Sequence, residues 1–246
     1  MRLPSSLSVG PRSIRSMAVL SGFIALVFGA CSSDSNGGGG GGGGTSSFVG
    51  TVVGGAANDE SGSLTFDIAG AALAPPASIT TNSSATLTVT GTLTLVSPAA
   101  GTVPLTGTYD DATNALDLSG GGYAFTGVFD GTSRLEGTYN GANGAGLFVT
   151  ALDLGNAVAF CGTFDGDDDG TWNFVVNGTT LSGSALTSSG DAAPLDGTVA
   201  GTDITIVNPV NPTGPPLATG TITGTTATGT WDTGAGQSGT WTGNGC

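Results

Sequence analysis

The pattern that most constrains this chain is a glycine with a mostly apolar residue two positions away on each side and a polar residue in each gap. It occurs eleven times, around Gly50, Gly91, Gly107, Gly127, Gly137, Gly162, Gly183, Gly197, Gly220, Gly229 and Gly239. Because strand side chains point alternately to opposite faces, each glycine shares one face with its apolar neighbours. Of the 22 gap positions, only Val49, Val128 and Cys161 are not polar. The pattern therefore predicts strands with one apolar and one polar face.

The rest of the composition favours an all-β fold that closes on itself. Glycine makes up 46 of 246 residues without a three-residue period, which is typical of short strands and tight turns. Hairpin signals such as Asn177-Gly178 and Asp130-Gly131 require antiparallel neighbours. An antiparallel meander with one apolar face must close or pack on another sheet. Glycines on the inward face favour closure, because they permit sharp coiling and leave room for a neighbouring aromatic ring.

The chain also contains an internal duplication. Phe48-Val-Gly-Thr matches Phe160-Cys-Gly-Thr, and Pro104-Leu-Thr-Gly-Thr matches Pro194-Leu-Asp-Gly-Thr in the same order. We therefore expect residues 48–154 and 158–246 to form two tandem antiparallel up-and-down meanders, each of about eight strands and barrel-like. A single larger barrel is the alternative. A membrane-spanning barrel is excluded, because its outward face would have to be apolar.

The first thirty residues are typical of a secretory signal. An arginine-containing start is followed by an apolar run, Met17–Phe28, that is too short to anchor in a bilayer, and then by Gly29-Ala30-Cys31. This segment resembles the signal of bacterial lipoprotein precursors, in which small residues precede a cysteine that is lipidated and becomes the mature N-terminus. The resemblance covers the signal alone. It implies a signal peptide at 1–30, lipidation of Cys31 and a membrane-anchored protein of the bacterial cell envelope.

The stretch after the cysteine is rich in glycine and serine and has no side chains to bury. We expect residues 31–47 to be a flexible tether with a reach of about 20–25 Å. Serine at position 32 favours the outer membrane under the sorting rules of lipoproteins. The folded part would then stand clear of the lipid headgroups.

The charge of the chain limits its partners. After Cys31 the chain has one arginine, no lysine and no histidine against 18 acidic residues, a formal charge of −17. It therefore has almost nothing with which to neutralise phosphates, and nucleic acid is excluded as a partner. The membrane is expected to be a partner only through the lipid anchor.

The two remaining cysteines test the closure of the second half. Cys161 lies in its first predicted strand and Cys246 follows its last. In an open eight-stranded sheet these ends would be seven steps of about 4.8 Å apart, beyond the Cα separation of about 7 Å that a disulfide spans. A closed barrel makes them neighbours, and the envelope is an oxidising compartment. We therefore predict a Cys161–Cys246 disulfide.

One acidic turn resembles the start of a calcium loop. Asp165, Asp167 and Asp169 place oxygen donors at alternate positions before Gly170, but no bidentate glutamate follows. The sequence therefore allows two interpretations of this turn, a calcium site or a solvated acidic turn without a metal. No other cofactor is expected. Asn58-Asp59-Glu60 occupies the matching turn of the first half.

Catalysis has few candidate residues. Without histidine or lysine, the usual general bases and activated nucleophiles are missing. Asp110-Asp111 and Asp117 are the candidates for a carboxylate-dependent glycan hydrolase. We expect instead a non-catalytic binding or structural module of the envelope. A carrier of a small apolar ligand in a barrel cavity is the second alternative, since eight strands can enclose one.

Overall fold

The computed structural model describes residues 44–71, 73, 85–208 and 211–246, and the regular structure in these ranges is entirely β-strand. No helix long and apolar enough to cross a membrane occurs in them. The predicted signal peptide, the lipidation site Cys31 and the tether up to residue 43 lie outside the described residues.

The first eight strands form a closed antiparallel barrel in which each strand pairs with the next and the last pairs with the first. They are β1 (Thr45–Gly54), β2 (Glu60–Ala69), β3 (Thr86–Ser97), β4 (Gly101–Asp110), β5 (Ala115–Gly120), β6 (Tyr123–Phe129), β7 (Arg134–Gly141) and β8 (Gly144–Leu152). The last three residues of the predicted tether, 45–47, belong to β1. Ser46 is buried there and its Oγ donates to the carbonyl of Ala71 at 2.9 Å, which holds the start of the strand against the following loop.

The second eight strands form a second closed barrel of the same kind. They are β9 (Ala157–Gly166), β10 (Gly170–Asn177), β11 (Thr180–Thr187), β12 (Ala192–Ala200), β13 (Asp203–Ile206), β14 (Ala218–Thr223), β15 (Thr226–Asp232) and β16 (Ser238–Gly245). The predicted fold class, two tandem antiparallel barrels from a duplication, is confirmed, and the single larger barrel is excluded.

The two barrels share one register, apart from an irregularity in the β2–β3 pairing between Ser61 and Gly62. Gly50 pairs with Leu64 in the first barrel, and Gly162 pairs with Trp172 in the second. Following the pairings from strand to strand assigns each inward residue of one barrel an equivalent in the other. The duplication is therefore visible in the hydrogen-bond ladder as well as in the residues.

The inward glycines lie where strands and rings approach most closely. A Cβ atom on Gly229 would lie 2.0 Å from the carbonyl oxygen of Thr219 and 2.5 Å from the indole of Trp241. On Gly137 it would lie 2.0 Å from the carbonyl oxygen of Thr126 and 2.9 Å from the ring of Phe148. The ring-over-glycine arrangement expected from the sequence is therefore present in both barrels.

The disulfide Cys161–Cys246 is present, with a Cα–Cα distance of 5.7 Å. It joins β9 to the residue that follows β16, and these two strands pair to close the second barrel. The bond therefore lies at the seam where the first and last strands meet.

The sequence pattern predicts a polar, solvated outward face on every strand. The structure differs from this prediction where the two barrels meet. Where β1, β2 and β8 meet β9, β10 and β11, outward side chains are buried between the barrels, including Thr51, Val53, Val149, Asn173 and Val175. Asn173 is fully buried, donates through Nδ2 to the carbonyl of Val52 and accepts from the Ser61 hydroxyl at 2.9 Å. The buried apolar residues Val53, Val149 and Val175 on the outward faces of these strands are therefore explained by packing between the barrels.

Candidate functional site

One end of the second barrel contains a cavity of about 160 Å³. This end, called the mouth below, carries the β9–β10, β11–β12, β13–β14 and β15–β16 connections. The apolar lining consists of Phe164, Trp172, Phe174, Ala185, Ala193, Leu195, Ile206, Leu217, Ala218, Trp231 and Trp241. Five polar residues at or near the connections complete it, namely Asp168, Thr187, Asp191, Thr233 and Gln237.

Three alanines line the cavity at positions where the first barrel has larger residues. By register, Ala185 is equivalent to Leu93 and Ala193 to Val103. Ala218 is likewise equivalent to Phe125, the largest of the three differences. Leu93 and Phe125 are completely buried in the first barrel, where they occupy the corresponding space. Small residues on three strands therefore leave space at this end of the barrel that larger side chains occupy in the first barrel.

The aromatic walls of the cavity are held in defined orientations. Trp172 stacks on Phe174 with ring centroids 4.6 Å apart, and it meets Trp241 nearly edge to face at 5.1 Å. Phe164 and Trp231 form a further edge-to-face pair at 6.0 Å. Such contacts restrict ring rotation, so the walls are formed before any ligand arrives.

The indole N–H groups of the walls all have partners within the barrel. Trp172 Nε1 donates to the carbonyl of Thr163 at 3.0 Å, and Trp241 Nε1 to that of Thr230 at 3.2 Å. Trp231 Nε1 donates to the carbonyl of Asp165 at 3.3 Å. The three indole N–H groups are therefore engaged within the barrel and are not available as donors to a ligand.

The two carboxylates of the cavity have no cationic partner. Asp168 accepts from its neighbour's backbone N–H at 2.9 Å, and Asp191 accepts from the Ser189 hydroxyl at 3.3 Å. The single arginine after Cys31, Arg134, is bound elsewhere, to Glu136 and to Asp196 of the second barrel at 2.6 Å each. The mouth therefore carries uncompensated negative charge.

The equivalent end of the first barrel contains a buried carboxylate, Glu60, which the sequence analysis placed only in the acidic turn Asn58-Asp59-Glu60 and which the structure places in β2. Glu60, equivalent by register to Asp168, is fully buried and accepts hydrogen bonds from Tyr139 at 2.6 Å, Tyr123 at 2.9 Å and Asn143 at 2.6 Å. Burial and then the hydrogen bond to Glu60 raise the pKa of Tyr123 to about 12, and the same causes raise the pKa of Tyr139. The signal in the sequence was the position of Glu60, which begins a strand and shares the face of its apolar residues.

The predicted calcium residues lie in and beside the β9–β10 turn, and each bonds to its own partner. Asp165 accepts from the Gly166 N–H at 2.8 Å and Asp167 from the Ser238 N–H at 2.9 Å, while Asp169 accepts from a serine hydroxyl at 3.2 Å. In the part of the chain that the structure describes, no three acidic, histidine or cysteine side chains group as a metal site. Calcium binding stays a prediction. The turn's fourth aspartate, Asp168, is the one that lines the cavity.

The candidate hydrolase residues belong to the first barrel. Asp110 accepts from the Ala112 N–H at 2.9 Å and Asp111 from the Ala85 N–H at 2.7 Å, so both bond to backbone near the β4–β5 turn. Asp117 is exposed on the outward face of β5. These contacts account for the turn aspartates without reference to catalysis.

No family model matches the sequence, and no curated protein matches it. Among solved structures, the chain is similar to a Nitrosomonas europaea protein provisionally designated AttH, with 9% identity over 81% of this chain and 91% of that one, at a TM-score of 0.23. No functional argument follows from that similarity.

Proposed function

We propose that this protein is a lipid-anchored, non-catalytic binding protein of the bacterial cell envelope, and that its second barrel binds a small, largely apolar ligand. The observation that carries the proposal is the aromatic-walled cavity of about 160 Å³. An apolar cavity of about 150 Å³ in another protein binds benzene. The ligand, or the part of it that enters the barrel, is therefore of that size.

The contrast between the barrels supports binding over a purely structural role. The first barrel fills the equivalent end with Phe125, Tyr123 and Tyr139, and the side chains form one continuous core. In a duplicated fold, a core that is filled in one copy and hollow in the other points to a use for the hollow one. The absence of histidine and lysine from the chain supports binding over catalysis.

The binding test fills the cavity with the residues of the first barrel. All three tryptophans of the chain line the cavity, so their fluorescence reports its occupancy. Benzene and toluene should change that fluorescence and raise the Tm of the wild type, because a ligand bound only to the folded state stabilises it. Both effects should disappear in Ala218→Phe and in Ala185→Leu.

Thr219→Phe is the matched control, because Thr219 neighbours Ala218 but is exposed on the outward face. This variant should bind as the wild type does. Unchanged fluorescence and Tm at saturating benzene and toluene would contradict the proposal, as would equal binding by the filled variants.

The anchoring part of the proposal rests on the Gly29-Ala30-Cys31 segment. Replacement of Cys31 by alanine should abolish incorporation of labelled fatty acid and move the protein from the membrane to the soluble envelope fraction. Membrane retention of an unlabelled Cys31→Ala protein would show that the anchor is not this cysteine.

A further inference from the structure

We infer that the cavity of the second barrel selects a cationic ligand, with a small quaternary ammonium group as the part that enters the aromatic walls; this inference rests on the proposed function. Three features of the cavity carry it: the chemistry of the walls, the charge at the mouth and the comparison with the first barrel.

The walls favour a cation without N–H groups. Three tryptophans and two phenylalanines line the cavity, and cations bind above aromatic rings, most strongly above tryptophan. The indole N–H groups already donate to backbone carbonyls. A primary ammonium would have to leave donors unpaired among these rings, and burying unpaired donors costs free energy. A quaternary ammonium has none to leave unpaired.

The mouth favours positive and disfavours negative ligands. Asp168 and Asp191 line it, and Arg134, the chain's single cationic side chain after Cys31, is engaged by Glu136 and Asp196. The formal charge of −17 after Cys31 adds a long-range attraction for cations at low ionic strength. Fatty acids and other anionic amphiphiles would meet only repulsion.

The first barrel shows what the second has lost. There the equivalent carboxylate, Glu60, is compensated by the hydroxyls of Tyr123 and Tyr139. In the second barrel Trp231 occupies the register position of Tyr139, and its N–H donates to a backbone carbonyl. Asp168 therefore lines the cavity without those donors, and a cationic ligand beside it would balance its negative charge.

The test compares three molecules of one shape and different charge. Choline carries the quaternary nitrogen, neohexanol has a quaternary carbon in its place, and the anion of tert-butylacetic acid carries a negative charge on the same branched body. Titration followed by tryptophan fluorescence and calorimetry should give choline a Kd about tenfold or more below that of neohexanol. The anion should show no binding.

Charge removal at the mouth provides the second measurement. Asp168→Asn should raise the Kd of choline about three- to tenfold and reduce the dependence of that Kd on salt. The Kd of neohexanol should not change. Asp203→Asn is the matched control, because Asp203 is exposed at the opposite end of the barrel and its replacement changes the net charge equally. It should leave choline binding unchanged.

The outcomes separate the two proposals. Neohexanol or benzene binding as tightly as choline, or an unaltered choline Kd in Asp168→Asn, would overturn the cation preference and leave the binding cavity standing. Failure of choline, neohexanol, benzene and toluene alike would overturn both.

Discussion

Removal of the Cys161–Cys246 disulfide should lower the free energy of unfolding of the second barrel by about 4–5 kcal/mol. The two cysteines are 85 residues apart in sequence. On the chain-entropy account, a cross-link closing a loop of that length removes about 4.6 kcal/mol of freedom from the unfolded chain at 25 °C. Because the bond lies at the β9–β16 seam, its loss also frees the strands that close the barrel. The variant to make is the double replacement Cys161→Ala, Cys246→Ala.

The distribution of aromatic residues allows each barrel to be followed separately. All three tryptophans lie in the second barrel, and all three tyrosines lie in the first. In urea, the tryptophan transition of the double variant should shift by about 2–4 M to lower concentration, given an m value of about 1–2 kcal/mol/M. Wild-type protein under reducing conditions should match the variant.

The tyrosine signal provides the internal control, because the first barrel has no cysteine and should respond less than the second. A tryptophan transition that stays at the wild-type midpoint in the double variant would refute the reasoning. Free thiols at both positions in protein purified without reducing agent would refute the bond itself.

Three further predictions concern packing and ionisation. Gly229→Val should destabilise the second barrel by about 3 kcal/mol or more in urea unfolding, because its Cβ would overlap a backbone oxygen, whereas Gly101→Ala, with open space around it, should be neutral. Asn173→Ala should cost about 1–3 kcal/mol by unpairing Ser61, and the two barrel transitions should separate. Since the pKa of Tyr123 is about 12 in the fold and about 10 unfolded, its contribution to stability is complete below pH 10 and is lost as pH rises through 12. A tyrosinate absorption step near pH 10 in still-folded protein would contradict this.

Much of the fold follows from local pattern. The alternation around each inward glycine determines which face of a strand is apolar, and short turns then require antiparallel neighbours. Closure follows because an apolar face of this extent needs cover, and it in turn predicts the Cys161–Cys246 bond, which the structure contains. These properties repeat every few residues and need no knowledge of distant contacts.

The packing between the barrels could not be predicted from the strand pattern and is seen only in the tertiary structure. Asn173 fits the polar-outward alternation of its strand and Val175 departs from it, and neither residue indicates in the sequence what lies opposite. Only the docking of β10 against β1 and β2 turns a polar position into a buried hydrogen-bonding one.

The candidate site was hidden for a related reason. Ala185, Ala193 and Ala218 contribute to its volume, and these three small residues lie on different strands that only the strand register brings together. In the acidic turn, the sequence indicated Asp165, Asp167 and Asp169 as the residues of interest, whereas the fold directs Asp168 to the cavity. A strand pattern specifies faces one strand at a time, but an empty space is a property of all the strands around it, and therefore only the assembled barrel contains it.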